Sequence, residues 1–251
     1  MPEHFVIIGA QRCGTTYLTR LLDGHLDIEM AKPLRPEPKF FLDDEQYALG
    51  IDHYETRFFT DERVRVRGEK STSYIEHEAA VERIVTMLPD ATLVVVVRDP
   101  VARAVSNYAF SAAEGVETLP LVEALRADEA GDRAWDEARF SVSPFAYLQR
   151  GRYADALERV ARHVVPEQLV VLFFEELVAD GTALGTLYER LGVDPSSAPA
   201  VDGTPVNASP VTDELDAATE AWLRGYFAEP NRRLEARLGR RLPWPQAAGV
   251  R

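Results

Sequence analysis

The sequence predicts one α/β domain over residues 1–251, built on a central parallel β-sheet that is flanked by helices. Strand-like apolar runs alternate along the chain with segments of helical periodicity, and this alternation is typical of right-handed βαβ crossovers. The run Thr92–Val97 is β-branched and apolar, as in parallel strands that are buried on both faces. A chain of 251 residues, 46% of them hydrophobic, is long enough to bury one large core.

The predicted elements follow this alternation from the N-terminus onward. Strands are expected at Phe5–Gly9, Val64–Glu69, Thr92–Val97 and Gln168–Phe174. Helices are expected at Thr15–Leu22, Tyr74–Leu88, Glu175–Leu191 and Leu215–Leu238, and from Asp99-Pro100, an N-cap acid followed by proline. Segments 31–38 and 194–210 are rich in loop-forming residues and are predicted loops. Segment 114–143 is mostly polar and lacks strands, so we interpret it as a candidate lid rather than as core.

The composition argues against several classes of protein. A formal net charge of −13 is unfavourable for general binding of nucleic acid, so an anion site must be a local pocket. Apolar runs such as Leu93–Val97 are far shorter than the ~18 residues that span a bilayer, and the N-terminus lacks the basic region of a secretory signal. The one cysteine, Cys13, excludes an intrachain disulfide, and a reducing cytoplasm is the expected compartment. The 25 arginines against three lysines favour a bacterial protein.

The first segment that indicates chemistry is GAQRCGTT, residues 9–16, between a predicted strand and a predicted helix. Main-chain N–H groups and a helix N-terminus form an anion cradle at such a place. The segment is similar to the Walker A pattern, but Thr15 stands where the pattern has lysine, and Arg12 supplies a cation inside the loop. The missing lysine argues against ordinary phosphoryl transfer. The alternative interpretation is an ordinary glycine-bearing turn.

The second segment is RDPVARAVSNY, residues 98–108, directly after the strand Thr92–Val97. Arg98 is at the carboxyl end of a parallel strand, which is the edge where ligands bind in such sheets. An arginine at this place favours direct ionic binding of a phosphate without a metal. Ser106, about two turns into the helix, could add a hydroxyl to the same anion. A surface ion pair for Arg98 and a solvated serine at Ser106 are the alternatives.

Together these two segments resemble the PAPS-dependent sulfotransferases (PAPS is 3′-phosphoadenosine 5′-phosphosulfate). In that family a G-x-x-[KR]-x-G-T-T loop binds the 5′-phosphosulfate, and an R-[DN]-P-x-x-[RD]-x-x-S segment binds the 3′-phosphate. The resemblance implies a P-loop-like sulfotransferase fold, an activity of EC 2.8.2 type, PAPS as co-substrate, adenosine 3′,5′-bisphosphate (PAP) as product, and no metal. The cofactor-binding residues that it implies are Gln11, Arg12, Cys13, Gly14, Thr15, Thr16, Arg98, Ser106, Tyr153, Asn207 and Ser209.

The heparan-sulfate-type and related bacterial branch is the most similar, because further segments recur in order between residues 9 and 244. EPKFF at 37–41 resembles E-x-x-F-F, and GEKSTSY at 68–74 resembles G-E-K-[ST]-P-x-Y. The resemblance implies that 194–210, with VNAS at 206–209, closes over the cofactor and that 114–143 lies on the acceptor side. Two departures stand out: Arg12 replaces the usual lysine and is a poor general acid, and Thr72 or Ser73, depending on the register, replaces the proline.

The implied reaction moves a sulfuryl group in line from PAPS to a hydroxyl or amine of a glycan or secondary metabolite. Glu37 is the predicted general base, Arg12 and Lys70 complete the predicted catalytic set, and Lys39 is a less direct candidate. A histidine is the alternative base. A P-loop kinase using ATP and a non-catalytic nucleotide-binding module are the alternative functions. The expected partner is a small-molecule or glycan acceptor, with no nucleic acid and no membrane, and the sequence does not indicate the oligomeric state.

Overall fold

A computed structural model describes residues 3–131, 133–179, 181–199 and 215–247. Its strands are β1 (Glu3–Gly9), β2 (Ile28–Met30), β3 (Val66–Lys70), β4 (Thr92–Val97) and β5 (Leu169–Phe173). They form a five-stranded sheet in the order β2-β3-β1-β4-β5, and every neighbouring pair is parallel. The predicted fold class, an α/β fold with a central parallel sheet flanked by helices, is confirmed.

The helices of the described residues connect and cover these strands. They are α1 (Thr15–Asp23), α2 (Asp44–Ala48), α3 (Gly50–Phe58), α4 (Glu78–Met87), α5 (Pro100–Ala113), α6 (Leu121–Ala130), α7 (Tyr153–Val160), α8 (Phe174–Ala179), α9 (Thr182–Arg190) and α10 (Ala217–Leu238). None of the described helices combines the length and the apolar character that crossing a bilayer requires.

The strand β4 lies inside the sheet, between β1 and β5. Every residue of β4 is buried, and residues 93–97 have no exposed surface, which confirms the prediction of a strand covered on both faces. The bounds of β4 are those predicted. The strands β1, β3 and β5 lie where strands were predicted, with ends that differ by one or two residues.

Two predicted helices are corrected by the structure. The helix expected from Tyr74 begins only at Glu78, because Tyr74–Glu76 form a 3-10 turn whose residues Tyr74 and Ile75 are buried. The helix expected over 175–191 is divided into α8 and α9. Gly181 precedes α9 with a φ of +72°, a left-handed conformation that cannot continue a right-handed helix.

The chain divides into two compact units. The first, Met1–Val97 and Arg159–Val206, contains the sheet with helices α1 to α4, α8 and α9. The second, Arg98–Glu158 and Asn207–Arg251, contains α5, α6 and α10.

The core of the second unit corrects one part of the interpretation of 114–143, because this segment does contribute to the core; its role as a lid on the acceptor side stays a prediction. Helix α6 lies in that segment, and its residues Leu121, Ala124 and Leu125 are buried. They belong to a cluster with Val101, Ala104, Tyr147, Leu148, Leu223 and Phe227. Because full burial of a leucine side chain contributes ~1.5–3 kcal/mol, this helix stabilises the unit and is not a detached flap.

Candidate functional site

The predicted anion cradle, residues 9–16, lies in the first unit between the end of β1 and the start of α1. Arg12 has a φ of +65° and Gly14 a φ of +81°, so the loop contains two left-handed residues in quick succession. A left-handed conformation is uncommon for a residue with a side chain, and such residues cluster at functional sites. The loop is therefore a candidate binding turn, as predicted from its sequence.

Gly14 is required at its position for two separate reasons. Its φ of +81° disfavours any L side chain, and a Cβ there would lie 2.4 Å from the ring of Phe174. Phe174 follows β5, so the next strand-to-helix junction packs directly against the cradle. This contact places the backbone of the loop directly against the start of α8.

The N-terminus of α1 gives the cradle its electrostatic character. The first N–H groups of a helix have no intrahelical partner, and they carry partial positive charge. No acidic residue lies in the first turn of α1. Thr15 is buried and Thr16 half-buried, while Cys13 is fully buried with its Sγ 3.7 Å from the carbonyl oxygen of Gln11. The cysteine therefore packs inside the unit, as expected for a thiol that does not react.

Glu37 and Lys70 form an ion pair at the edge of the sheet that also carries the cradle. Lys70 is the last residue of β3 and pairs in register with Ile7, two residues before Gly9. Its Nζ lies 3.0 Å from Glu37 Oε1, and the two side chains are 7% and 20% exposed. The parallel register thus places the predicted catalytic lysine and the cradle at the carboxyl ends of neighbouring strands, where ligands bind in such sheets.

Thr72 supplies the remaining donors to the Glu37 carboxylate. Its main-chain N–H donates to Oε2 at 3.0 Å, and its hydroxyl lies 3.1 Å from Oε1 and 3.2 Å from Oε2. Thr72 stands at one of the two positions for the proline of the motif that this segment resembles, and a proline has neither of these donors. The departure from the motif therefore gives this chain two additional donors that orient Glu37.

The loop that carries Glu37 is anchored by the two phenylalanines that follow it, as predicted. Phe40 and Phe41 have no exposed surface. Their rings lie 4.9 Å and 5.7 Å from the rings of Tyr54 and Tyr74, respectively. Lys39, just before them, has a φ of +51°, so the loop turns sharply between the carboxylate and its anchor.

In the second unit, Tyr153 holds the main chain of Arg98. The hydroxyl of Tyr153 donates to the carbonyl oxygen of Arg98 at 2.9 Å, and the N–H of Arg98 lies 3.4 Å from the same hydroxyl. Tyr153 is buried and Arg98 half-buried. The tyrosine thus fixes the backbone from which the arginine side chain extends.

Asp99, the acid next to Arg98, is neutralised inside the second unit. Arg224 of α10 donates to Asp99 with both terminal nitrogens, at 2.7 Å and 2.8 Å. Asp99 also caps α5, because its Oδ1 accepts from the N–H of Val101 at 3.0 Å. The N-cap acid is confirmed, and its charge is paired in a bidentate contact with a guanidinium.

The comparisons with known proteins agree with this geometry. The sequence profile of the sulfotransferase domain family matches residues 2–194. The chain belongs to this family. Human heparan sulfate glucosamine 3-O-sulfotransferase 3B1 is 32% identical over 193 residues, which cover 75% of this chain and 45% of the human protein. The chain thus matches less than half the length of this relative.

Solved sulfotransferase structures have the same fold. A sulfotransferase from Alicyclobacillus acidocaldarius aligns with a TM-score of 0.76 and 28% identity, over 96% of this chain and 97% of that one. A mouse sulfotransferase complexed with PAP aligns with a TM-score of 0.54 and 13% identity, over 92% of this chain and 85% of that one, which is a likeness of fold alone. Membership of the family implies PAPS as the co-substrate.

In this sulfotransferase-family chain, the structure shows contacts between some of the predicted site residues, and the roles of the others stay predictions. It joins Glu37 to Lys70, and Tyr153 to Arg98. Direct contact of Tyr153 with the cofactor stays a prediction, because its hydroxyl serves the main chain of Arg98. The predicted contacts of Asn207 and Ser209 lie outside the described residues, as does most of the predicted closing loop.

Sequence reasoning assigned no role to two buried arginines, Arg103 and Arg150, that share the side chain of Asn107. Arg103, one turn before Ser106, has no exposed surface, and its Nη1 donates to Asn107 Oδ1 at 3.0 Å. Arg150 donates to the same oxygen at 3.1 Å and to the carbonyl of Ser143 at 2.6 Å. Arg103 stands at the [RD] position of the R-[DN]-P-x-x-[RD]-x-x-S motif, and this match was the signal in the sequence that could have drawn attention to it. Arginine side chains are rarely fully buried, so the composition of a sequence does not indicate that a particular arginine lies in the core.

Proposed function

We propose that this chain is a PAPS-dependent sulfotransferase that moves a sulfuryl group to a hydroxyl or amine of an acceptor, in line and without a metal. The observation that carries the proposal is the carboxylate of Glu37, oriented by Lys70 and Thr72 at the sheet edge that also carries the cradle. A module that only binds a nucleotide needs the cradle alone. An oriented acid and a buried lysine beside the cradle suit a transfer reaction that requires a base and a cation.

We assign the two predicted anion-binding segments to the two phosphate positions of the nucleotide. The cradle offers a helix N-terminus and Arg12, with no acid in the first turn of α1, and is assigned to the 5′-phosphosulfate. Arg98 and Ser106 are assigned to the 3′-phosphate, and the negative charge of Asp99, next to Arg98 in the sequence, is balanced by Arg224. PAPS supplies an activated sulfuryl group attached to a phosphate leaving group.

Glu37 is proposed to accept the proton of the acceptor. A carboxylate has about four acceptor sites, and the described donors to Glu37 are Lys70 Nζ and the N–H and hydroxyl of Thr72. One site is therefore open to an acceptor hydroxyl. As the acceptor oxygen bonds to sulfur, the bond from sulfur to the phosphate oxygen breaks, and Arg12 stabilises the charge left on that oxygen. Lys70 balances charge on the transferring group.

We propose a glycan hydroxyl, on a chain that contains glucosamine, as the acceptor. The human relative that is 32% identical to this chain is a heparan sulfate glucosamine 3-O-sulfotransferase, and this supports the proposal. The net charge of −13 does not favour general attraction of a sulfated polymer, so recognition of the acceptor must be local.

The decisive experiment combines nucleotide binding with turnover. Thermal unfolding is followed with PAP, ADP and ATP, each with Mg²⁺ and with EDTA. A ligand at ~100 Kd stabilises the folded protein by ~2.7 kcal/mol, so PAP with EDTA is expected to give a clear shift. Transfer of sulfur label from PAPS is then measured to heparan sulfate and, as the matched control, to chondroitin sulfate, which lacks glucosamine.

Stabilisation by ATP only in the presence of Mg²⁺ would instead identify a kinase. Stabilisation by PAP without transfer to any acceptor would identify a binding module. Equal labelling of the two glycans would retain the sulfotransferase and reject the glucosamine acceptor.

A further inference from the structure

We propose that Glu69 is a positioning residue for the general base, and that it acts through the hydroxyls of Ser71 and Tyr74 on the main chain of residues 37–41. This inference rests on the proposed function of Glu37. Glu69 lies on β3, has no exposed surface, and is separate from the acid that the mechanism uses. A buried carboxyl without a role in the reaction requires a structural or functional explanation.

The Glu69 carboxylate is the centre of a buried network of hydroxyl groups. Its Oε1 accepts from Ser71 Oγ at 2.7 Å and from the Tyr74 hydroxyl at 2.6 Å. Its Oε2 accepts from the Tyr54 hydroxyl at 3.0 Å. An ionised carboxylate only accepts hydrogen bonds, so each of the three hydroxyl protons points toward Glu69.

With their protons directed at Glu69, the oxygens of Ser71 and Tyr74 accept hydrogen bonds from main-chain N–H groups of the loop. Because the proton of Ser71 points to Glu69, its oxygen is available to accept from the N–H of Lys39, at 2.9 Å. In the same way the Tyr74 oxygen accepts from the N–H of Phe41, at 3.1 Å. Two main-chain N–H groups of the base-carrying loop are thus bound through one carboxylate oxygen.

The network controls Glu37 from two directions. Lys39 is separated from Glu37 only by Pro38, whose ring restricts φ, so a fixed Lys39 restricts the backbone of Glu37. Thr72 follows Ser71 directly and binds the Glu37 carboxylate with its N–H and hydroxyl. Ser71 therefore stands between the loop that carries the base and the residue that orients its carboxylate.

The charge state of Glu69 adds a readout that a passive packing residue would lack. Burial raises the pKa of Glu69 to about 7, and the charge of Glu37 acts in the same direction, whereas the hydroxyl donors act against it. The groups that face Glu69 are Tyr54 of α3, Ser71 and Tyr74 after β3, and Glu37 of the loop. Protonated Glu69 donates one hydrogen bond, so one of its three hydroxyl partners must turn, and the hydroxyls that hold the loop then bind a neutral acid more weakly than a carboxylate. We therefore expect turnover to rise with pH through the neutral range.

The experiment compares variants on the side of the network that binds the loop with a variant of Tyr54, which binds the other oxygen of Glu69. Ser71→Ala removes the bridge to Lys39, and Glu69→Gln keeps the shape but removes the charge. Tyr54→Phe is the matched control: it removes a hydroxyl bound to the other oxygen of Glu69, and it keeps the ring. We expect kcat to fall by about 10²-fold in the first two variants, because a displacement of ~1 Å can cost that factor. The KM for PAPS should not change.

The pH profiles separate positioning from general destabilisation. Glu69→Gln is expected to lose the rise of kcat near neutral pH. Tyr54→Phe removes one donor to the carboxylate, so its rise moves to higher pH while the maximal kcat stays the same. A wild-type kcat and profile in both Glu69→Gln and Ser71→Ala would overturn the proposal, as would an equal fall of kcat in Tyr54→Phe.

Amide hydrogen exchange tests the relay without any turnover, so failure of the proposed function and failure of this inference are distinguishable. Exchange at the N–H groups of Lys39 and Phe41, measured above the pH of the rise in every variant, should accelerate about tenfold in Glu69→Gln, because a neutral amide binds the two hydroxyls more weakly than a carboxylate, and remain unchanged in Tyr54→Phe. Ser71→Ala should accelerate Lys39 alone. Unchanged exchange in Ser71→Ala would refute the relay even if Glu69→Gln failed to fold.

Discussion

Replacing Glu37 by glutamine tests the proposed base, and replacing its partner Lys70 by methionine provides the control for stability. Glutamine keeps the size of the side chain and one acceptor oxygen, so Thr72 can still hold it. Methionine keeps the length of the lysine stem but removes the buried charge. In unfolding measurements, the pair of variants shows how much of a loss of stability comes from the broken ion pair. Turnover of Lys70→Met does not serve as a control, because Lys70 belongs to the proposed catalytic set.

The kinetic and the structural effects of Glu37→Gln differ in size and in kind. A general base contributes ~10²–10⁴-fold, so at ~1.36 kcal/mol per tenfold we expect the barrier to rise by ~3–5 kcal/mol. The same change leaves the Lys70 ammonium, which is 7% exposed, without its carboxylate. Because Glu37 is 20% exposed, we expect a loss of about 2 kcal/mol of unfolding free energy, between the ~0–1 of surface pairs and the ~3–5 of buried pairs.

The assays are turnover at saturating acceptor, calorimetric titration with PAP, and chemical unfolding of both variants and of the double variant. Glu37→Gln should lose turnover and keep its affinity for PAP. The double variant should recover part of the unfolding free energy, because it leaves no unpaired buried charge. Turnover near the wild-type rate in Glu37→Gln would refute the base assignment, and a collapse of PAP affinity would make Glu37 a structural residue.

The remaining predictions concern the anion-binding residues. Arg12→Lys should retain most of the sulfuryl transfer and Arg12→Ala should not, and an active alanine variant would contradict the role of the cradle. Gly14→Ala should lose PAP binding in calorimetry, because its Cβ would lie 2.4 Å from a phenylalanine ring at a φ of +81°. Arg98→Ala should weaken PAP by ~2–5 kcal/mol and barely affect adenosine 5′-phosphate, so equal losses would count against it. Tyr153→Phe should weaken PAP by only about 1 kcal/mol, since it removes one hydrogen bond to the main chain of Arg98.

The sequence predicted the parts of the fold that depend on local pattern. The strand Thr92–Val97 was predicted residue for residue because a β-branched run between turn residues has few alternatives. The helix expected from Tyr74 began too early, because the buried hydroxyl of Tyr74 binds Glu69 and Phe41 in a turn that periodicity does not report. Helix α6 was missed as core because a helix with one narrow buried face resembles a polar segment.

In the candidate site too, single residues could be predicted from motifs, whereas contacts between distant segments could not. Glu37 and Lys70 were predicted from separate motifs, but their 3.0 Å ion pair arises only when the loop folds onto the end of β3. Thr72 counted in the sequence as a departure from a motif, whereas in the structure its N–H and hydroxyl orient the base. Such donors cannot be read from a pattern, because a main-chain N–H is present in every residue except proline.

An acidic protein that binds a multiply charged anion must keep its own acids from opposing the ligand. The net charge of this chain is −13, yet no acid lies in the first turn of α1, next to Arg12. Two acids of the motif segments, Glu37 and Asp99, are each paired with a cation of their own unit, Lys70 and Arg224, respectively. Side chains in both pairs are at most 20% exposed, and partly buried pairs are screened much less than surface charges. We therefore propose that local pairing of these acids, rather than an overall positive charge, permits anion binding at the two predicted segments.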